Sequence, residues 1–348
     1  MVSGVNMSYC DPKMHTLLKK QKYQLFGKNT AVKKCNWTHN ALREKRFCYK
    51  QFYGIKSHRC IQFSPTLICN FACLFCWRIH ESDLGLKNMF HDYKPNNSER
   101  LLEMFDRPLE VVQGILKGQQ KIICGYKPFV DPKMYEEAMN PKHATISLTG
   151  EPFLYPWIPE LIEELKSRNM TVFIVTNGSV PRTLRLLLQK KSYPTQLYIT
   201  LPAPRIKDFL RTHRPIEKEL ALDRVWESLR IIGKGVPFRT VGRLTVADGY
   251  NLNNSSGYAE MIKTMRPDFI EVKGVVHVGA AEKRIPRTAM PSHIKIKKFA
   301  HELKDKLPDY EIVRESSVSR LIILSNGVRP IIIPELDEKK DDKIEKKI

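Results

Sequence analysis

From residue 60 onward the chain alternates short apolar runs with longer stretches in which apolar positions recur every three or four residues. The runs at 61–68, 144–148, 171–175, 197–201, 238–246 and 269–273 have the length and side-chain character of strands. The stretches 109–120, 158–168, 183–190, 221–233 and 258–265 between them carry the helical period. Regular alternation of the two is the mark of βα units around a parallel sheet. Six such units predict an α/β fold, a partial (βα)6 barrel of TIM type, with functional groups gathered at the carboxyl ends of its strands. Residues 1–60 show no clean period and read as a basic, cysteine-rich N-terminal extension, residues 61–330 as the barrel, and residues 331–348 as a charged tail, mobile over 337–348.

The first predicted strand runs straight into Cys69-Asn70-Phe71-Ala72-Cys73-Leu74-Phe75-Cys76, a CxxxCxxC pattern. Three thiolates in eight residues can wrap one corner of a 4Fe-4S cubane and leave the fourth iron open. An open position is where chemistry happens, as in catalytic rather than structural zinc. A zinc knuckle would need a fourth ligand, and His80 stands four residues on. The aromatic Phe75 before the last cysteine, and the strand-then-loop placement, resemble the radical S-adenosylmethionine (SAM) superfamily. That resemblance implies a 4Fe-4S cluster on Cys69, Cys73 and Cys76 with SAM on its open iron.

The other strand ends supply matching chemistry. In Thr149-Gly150-Glu151-Pro152 a glycine lets backbone approach a ligand, and a carboxylate with exposed carbonyls can receive an ammonium group. Alone the tripeptide is more often a turn; after CxxxCxxC it matches the superfamily element of Gly150, Glu151 and Pro152 that holds the amino group of SAM. Asn177 and Ser179, in Thr176-Asn177-Gly178-Ser179, would face the same mouth and bind the SAM carboxylate or ribose, within an ordinary left-handed turn. Thr200, Arg243 and Thr245 reach one rim. An arginine inside an apolar strand needs a carboxylate, which SAM or a structural Asp or Glu would supply. His277, in a glycine-flanked loop, reads as structural or RNA-facing.

On spacing alone Cys35, Cys48 and Cys60 are unassigned, with buried structural thiols the favoured reading. Their position ahead of a radical SAM triplet, and the glycine turn that ends Cys48-Tyr49-Lys50-Gln51-Phe52-Tyr53-Gly54, favour a second 4Fe-4S cluster, again with one open iron. Composition adds a partner. Fifty-eight Lys and Arg against 37 Asp and Glu leave a formal charge of +21, which suits a polyanion whose phosphates release counterions on binding. Basic runs at 19–22, 33–34, 43–50 and 295–298 could follow a nucleic-acid backbone, with Tyr23, Trp37, Tyr53 or Trp77 available to stack on an unstacked base. No apolar run approaches the length of a bilayer span and the first thirty residues hold no signal-peptide core, so a soluble cytoplasmic protein with no membrane contact is expected. In a reducing cytosol its eight cysteines are more naturally metal ligands than disulfides.

Beyond the superfamily, Cys69 to Cys76 with the following Trp77-Arg78 is similar to the tRNA 4-demethylwyosine synthases. So are Leu148-Thr149-Gly150-Glu151-Pro152, Arg243-Leu244-Thr245, Pro267-Asp268-Phe269-Ile270-Glu271-Val272-Lys273-Gly274 and Met290-Pro291-Ser292-His293. These blocks span nearly the whole chain. The resemblance implies a lyase of the carbon-carbon class in wyosine biosynthesis. A 5'-deoxyadenosyl radical would abstract hydrogen from N1-methylguanosine at position 37 of tRNA(Phe), and carbons of pyruvate would close the third ring. It implies two 4Fe-4S clusters, the second on Cys35, Cys48 and Cys60, and gives Lys50 the role of forming an imine with pyruvate; the plainer reading of Lys50 is one more RNA-facing cation. Eukaryotic relatives add a flavodoxin domain for which there is no room before Cys35, so the shorter archaeal form is the better match, a monomer served by an external donor of ferredoxin or flavodoxin type. One block departs from the pattern: Thr200-Leu201-Pro202-Ala203-Pro204 stands where a Ser-Leu-Asp-Ala turn is expected. The alternatives are another radical SAM enzyme acting on RNA or a peptide, and a non-catalytic, zinc-containing RNA-binding protein.

Overall fold

The computed structural model describes residues 10–93 and 96–336. Its strands are β1 (Gln24–Phe26), β2 (Thr30–Val32), β3 (Cys60–Ser64), β4 (His143–Ile146), β5 (Thr171–Thr176), β6 (Gln196–Leu201), β7 (Arg239–Val246), β8 (Phe269–Gly274), β9 (Glu311–Ser316) and β10 (Leu321–Ser325). All join one sheet in the order β1-β2-β3-β4-β5-β6-β7-β8-β10-β9. From β3 to β8 every neighbour is parallel, as six βα units require. Antiparallel strands extend the sheet at both edges, β1 and β2 from the N-terminal extension and β9 and β10 from the C-terminal region.

The parity of the parallel strands decides what each face carries. Ile61, Ile146, Ile174, Ile199, Leu244 and Ile270 point to the helix layer, where they meet Val112 and Ile115 of Pro108–Ile123, Leu161 of Ile158–Lys166 and Leu229 of Ala221–Gly233. Fully burying each such side chain contributes about 1.5–3 kcal/mol. The intervening positions, among them Phe173, Tyr198, Val241 and Phe269, face the other way and pack on Tyr49, Tyr53 and Ile55 of the extension. The apolar face therefore builds the core, and the opposite face is left to carry chemistry.

Two boundaries differ from the sequence expectation for local reasons. β3 ends at Ser64, because Pro65 has no N–H for the ladder, and Leu67 instead donates its N–H to Asn29 Oδ1 at 3.2 Å. The extension lacks a visible period because its elements are short. It has nine-residue helices Pro12–Lys20 and Asn36–Glu44, the first capped by Asp11 through Lys13 N at 2.8 Å, and three-residue strands. Ile333 is buried and its N–H donates to Tyr53 O at 3.1 Å, while Arg239 donates to the carbonyls of Pro330 and Ile331 at 2.7 and 2.9 Å. The tail expected at 337–348 lies outside the described residues. Among the described residues no helix is long and apolar enough to cross a membrane.

Candidate active site

At the carboxyl ends of β3 to β6 lies a cavity of about 210 Å³ lined by Cys69, Cys73, Cys76, Gly150, Glu151, Asn177 and Thr200, together with Trp77, Arg78, His80 and Glu81. The cysteine loop is held from both sides. Ala72 N donates to Arg214 O (3.0 Å), Leu74 N to Thr212 O (2.9 Å) and Ile216 N to Asn70 O (2.9 Å). Asn70, Asn177 and Ser179 close a side-chain ring, with Asn70 Nδ2 donating to Ser179 Oγ at 2.7 Å and Asn177 Nδ2 to Asn70 Oδ1 at 2.9 Å. Ser179 thus fixes the rim, though it does not line the cavity. Pro152 is likewise buried beneath it, at the start of a short turn that Glu151 caps through Phe153 N at 3.0 Å.

Gly150 has φ +70°, and a Cβ there would fall 2.3 Å from Thr66 O, so only glycine lets the loop pass this close to the first strand's exit. Glu151 accepts hydrogen bonds from Asn177 N (2.8 Å) and Thr176 Oγ1 (2.5 Å), yet burial dominates and pushes its pKa up to about 7. Burial also raises Cys69 and Cys73 well above the usual thiol range. Cys76 ends lower than usual: burial raises it, but hydrogen bonding and charge from His80 outweigh that. His80 therefore serves the trio as a neighbour, its ring also 3.3 Å from Cys73 O.

Arg284 was not legible in the sequence. Its Nε and Nη2 meet Asp83 at 2.8 and 2.6 Å, and its Nη1 donates to the carbonyls of Cys73 (3.2 Å) and Cys76 (2.7 Å). One buried guanidinium thus clamps the backbone of the cysteine loop from the C-terminal region.

The upstream thiols also converge. Cys35 precedes the helix Asn36–Glu44, Cys48 precedes the short helix Tyr49–Tyr53, and Cys60 opens β3. Cys48 and Cys60 are pushed up to about 11 and about 12, first by burial and then by the other thiols of the trio. Ser57 helps to place Cys48, its Oγ accepting from Cys48 N at 2.8 Å. Lys50 is half-buried beside them, with Nζ over the rings of Tyr198 (5.2 Å) and Phe173 (5.3 Å). Burial pushes its pKa below the ordinary lysine value, against the pull of Cys60 and Cys48. All eight cysteines are free thiols. Among the described residues no three His, Cys, Asp or Glu side chains are gathered tightly enough for a single metal ion.

Arg243 narrows one expectation, taking the structural carboxylate of the two partners it was offered. It lies outside the cavity lining and pairs with Glu271, Nε at 2.9 Å and Nη2 at 2.7 Å, while Nη2 also donates to Tyr49 OH at 2.6 Å. Glu271, fully buried, further accepts from Tyr53 OH (2.9 Å) and Tyr49 OH (3.1 Å). The carboxylate that Arg243 needs is therefore a structural one, and both belong beside Lys50. Lys273, two residues along β8, joins them, its Nζ 5.1 Å from the Tyr49 ring and its pKa lowered to about 8 chiefly by burial. The aromatics are corrected too: Tyr23 and Tyr53 are buried and cannot stack on a base, while Trp77 stays 40% exposed. His277 bonds the carbonyl of Ile285 at 3.0 Å.

A family model for the radical SAM superfamily matches residues 63–255, and one for wyosine base formation matches residues 264–326. The S-adenosyl-L-methionine-dependent tRNA 4-demethylwyosine synthase of Pyrococcus horikoshii is 40% identical over 312 residues, 88% of this chain and 87% of that protein. The corresponding synthase of Homo sapiens, TYW1, is 33% identical over 93% of this chain, which spans 42% of its length. Among solved structures, TYW1 with a lysine-pyruvate adduct bound is 32% identical with a TM-score of 0.79, covering 93% of this chain and 99% of that one. A crystal structure of archaeal TYW1 is 30% identical with a TM-score of 0.71 at the same coverage. With both thiol trios on one face of a six-unit parallel sheet and likeness over nearly its full length, the chain belongs to the S-adenosyl-L-methionine-dependent tRNA 4-demethylwyosine synthase family, within the radical SAM superfamily.

Proposed function

We propose that the chain converts N1-methylguanosine at position 37 of tRNA(Phe) into 4-demethylwyosine with carbons from pyruvate, as a carbon-carbon lyase. The observation that carries this reading is Lys50, half-buried against the same sheet face as the thiol trios and next to Cys48 and Cys60. A family member of known structure holds a lysine-pyruvate adduct. Cys69, Cys73 and Cys76 would hold one 4Fe-4S cluster, and Cys35, Cys48 and Cys60 a second. The positive charge of a cluster's irons would offset the burial that raises these thiols. A reduced cluster with SAM bound supplies the 5'-deoxyadenosyl radical for the hydrogen abstraction.

The chain's own residues prepare that step. Glu151 and the backbone at Gly150 would receive the SAM ammonium group, and Asn177 and Thr200 its polar remainder, with Pro152 and Ser179 fixing the rim. Lys50 Nζ would add to the ketone carbon of pyruvate and release water, forming an imine. A neutral amine is required, and burial favours it. Arg243, paired with Glu271, would support this second site rather than bind SAM. Residues 1–60 thus serve the second cluster and residues 61–330 the barrel, in a cytoplasmic monomer reduced by a ferredoxin- or flavodoxin-type donor.

The test is anaerobic incubation of the reconstituted protein with SAM, dithionite, pyruvate and N1-methylguanosine-containing tRNA, followed by nucleoside mass spectrometry. A tricyclic base that disappears when pyruvate is omitted, with about eight irons per chain, is expected. About four irons, or 5'-deoxyadenosine without the new base, would point to a different radical SAM substrate. No SAM cleavage at full iron loading would leave an RNA-binding protein.

A further inference from the structure

The loop of Cys69, Cys73 and Cys76 has two sides. One lines the cavity described above, and the other rests on the helix Ile206–His213 and the segment after it. Leu74 N donates to Thr212 O, Ala72 N to Arg214 O, and Phe71 bridges to Pro215. Phe71, Phe209 and Ala221 form a buried cluster against which Cys69 and Cys73 pack. The Phe209 ring meets Phe71 edge-on at 5.7 Å and stacks on His213 at 5.6 Å, and His213 meets Phe75 at 5.1 Å. A single layer of rings therefore separates this helix from the cysteine loop. Among the described residues, none of 205–222 lines the cavity.

The outer side of the helix is exposed. Phe209, Thr212 and His213 are its buried residues, and the helical period puts Lys207 and Arg211 on the far side, one turn apart. Ile206 is 54% exposed and Leu220 63%. Residues 205–218 hold five cations, Arg205, Lys207, Arg211, Arg214 and Lys218, all exposed, against Asp208 and Glu217. Asp208 is tied to Arg205 and Glu217 to Arg224, so the other four cations set the sign of the surface.

Apolar side chains within a charged rim make a protein docking surface, and transient electron-transfer partners need only a small one. Exposed Ile206 and Leu220 would gain nothing from a phosphate backbone, whereas an acidic protein meets both the charge and the apolar contact. A helix is about 10–12 Å across with its side chains, so a partner seated here stands roughly one helix width from the cysteine loop. It would also leave free the mouth through which SAM and RNA must enter.

We propose that the outer face of Ile206–His213, with Lys207, Arg211, Ile206 and Leu220, docks an acidic one-electron carrier protein. This rests on the functional reading above, in which the first trio holds the cluster that must be reduced. One electron leaves the carrier and one enters that cluster, with no bond formed between the partners.

Lys207→Glu with Arg211→Glu reverses the charge of this face. Lys263→Glu with Lys306→Glu makes the same change in net charge at exposed positions elsewhere. Each protein is reconstituted anaerobically and its iron counted. Affinities for an acidic flavodoxin, at low and high salt, and for N1-methylguanosine-containing tRNA are measured at equilibrium. 5'-Deoxyadenosine formation is then compared with flavodoxin hydroquinone and with dithionite as reductant. The first pair is expected to weaken flavodoxin binding about tenfold at low salt and less at high salt, and to slow flavodoxin-driven SAM cleavage in step. Dithionite-driven cleavage and tRNA affinity should stay within about twofold of wild type, as should every readout in the second pair. Unchanged flavodoxin binding in the first pair, or an equal loss in both pairs, overturns the proposal. A loss of tRNA affinity alone would give the face to RNA and overturn it too, as would wild-type protein that binds neither the flavodoxin nor an acidic ferredoxin. Wild-type protein that cleaves SAM with neither reductant at full iron loading would sink the functional reading instead, while the docking surface stands or falls on the binding measurements.

Discussion

Cys69, Cys73 and Cys76 share a single loop that neighbouring backbone and one arginine pin in place, whereas Cys35, Cys48 and Cys60 come from a helix start, a second short helix and a strand. The first trio takes its thiols from one contiguous loop, and distant partners, Thr212, Arg214 and Arg284, only pin that loop in place. The second needs the whole extension docked on the sheet, with Tyr49 and Tyr53 bonded to a carboxylate on β8. Both end on the same face of the same sheet. One is therefore a motif, and the other a product of tertiary packing.

The sharpest way to separate them is to remove one thiol from each. Cys73→Ala is expected to abolish SAM cleavage, whereas Cys48→Ala should retain 5'-deoxyadenosine formation and lose the pyruvate-dependent base; each loses about four irons. Loss of SAM cleavage in Cys48→Ala would break the division of labour. Next in size is Glu271→Gln, which leaves Arg243 buried without its carboxylate and is expected to cost about 3–5 kcal/mol in denaturant unfolding. It should lower Lys50 trapping while SAM binding persists, and the reverse pattern would show that Glu271 supports the wrong trio. Arg284→Met cuts the clamp on Cys73 and Cys76 and leaves Asp83 unpaired, an expected loss of about 1–3 kcal/mol. Chelator challenge followed by iron counting should show the first cluster, and not the second, released faster.

The smallest effect is in pH. The folded pKa of Glu151 is raised to about 7, so its contribution to stability is full below the ordinary carboxylate range and is lost as pH rises through that value. The carboxylate that would meet the SAM ammonium group gains population over the same window. SAM affinity is expected to increase from about pH 6 to about pH 8, by less than about tenfold per unit, and to be flat in Glu151→Gln. A flat wild-type profile would remove Glu151 from the ammonium contact.

The six parallel strands were legible because strands covered on both faces read as apolar runs, and Cys69 to Cys76 because the motif is contiguous. Leu321-Ile322-Ile323-Leu324 carried the same signal and forms β10, but it lies beyond the six-unit frame and pairs antiparallel. That Arg243 requires a carboxylate followed from burial alone. Its identity did not, because Glu271 becomes its direct neighbour only through the register of β7 on β8. Tyr23 and Tyr53 look like exposed aromatics in a basic segment, and nothing local tells that their rings enter the core. Arg284 sits in a loop without period and binds backbone carbonyls, which leave no trace in the partner's sequence.

The hydroxyls of Tyr49 and Tyr53 bond a carboxylate 222 and 218 residues further along the chain. During synthesis the loop of Cys69 to Cys76 can find most of its backbone partners once residue 216 has emerged, but the support beneath Lys50 waits for β8. The Arg284 clamp on Cys73 and Cys76 emerges later still, so on the time axis of translation both thiol trios reach their full support only in a nearly finished molecule.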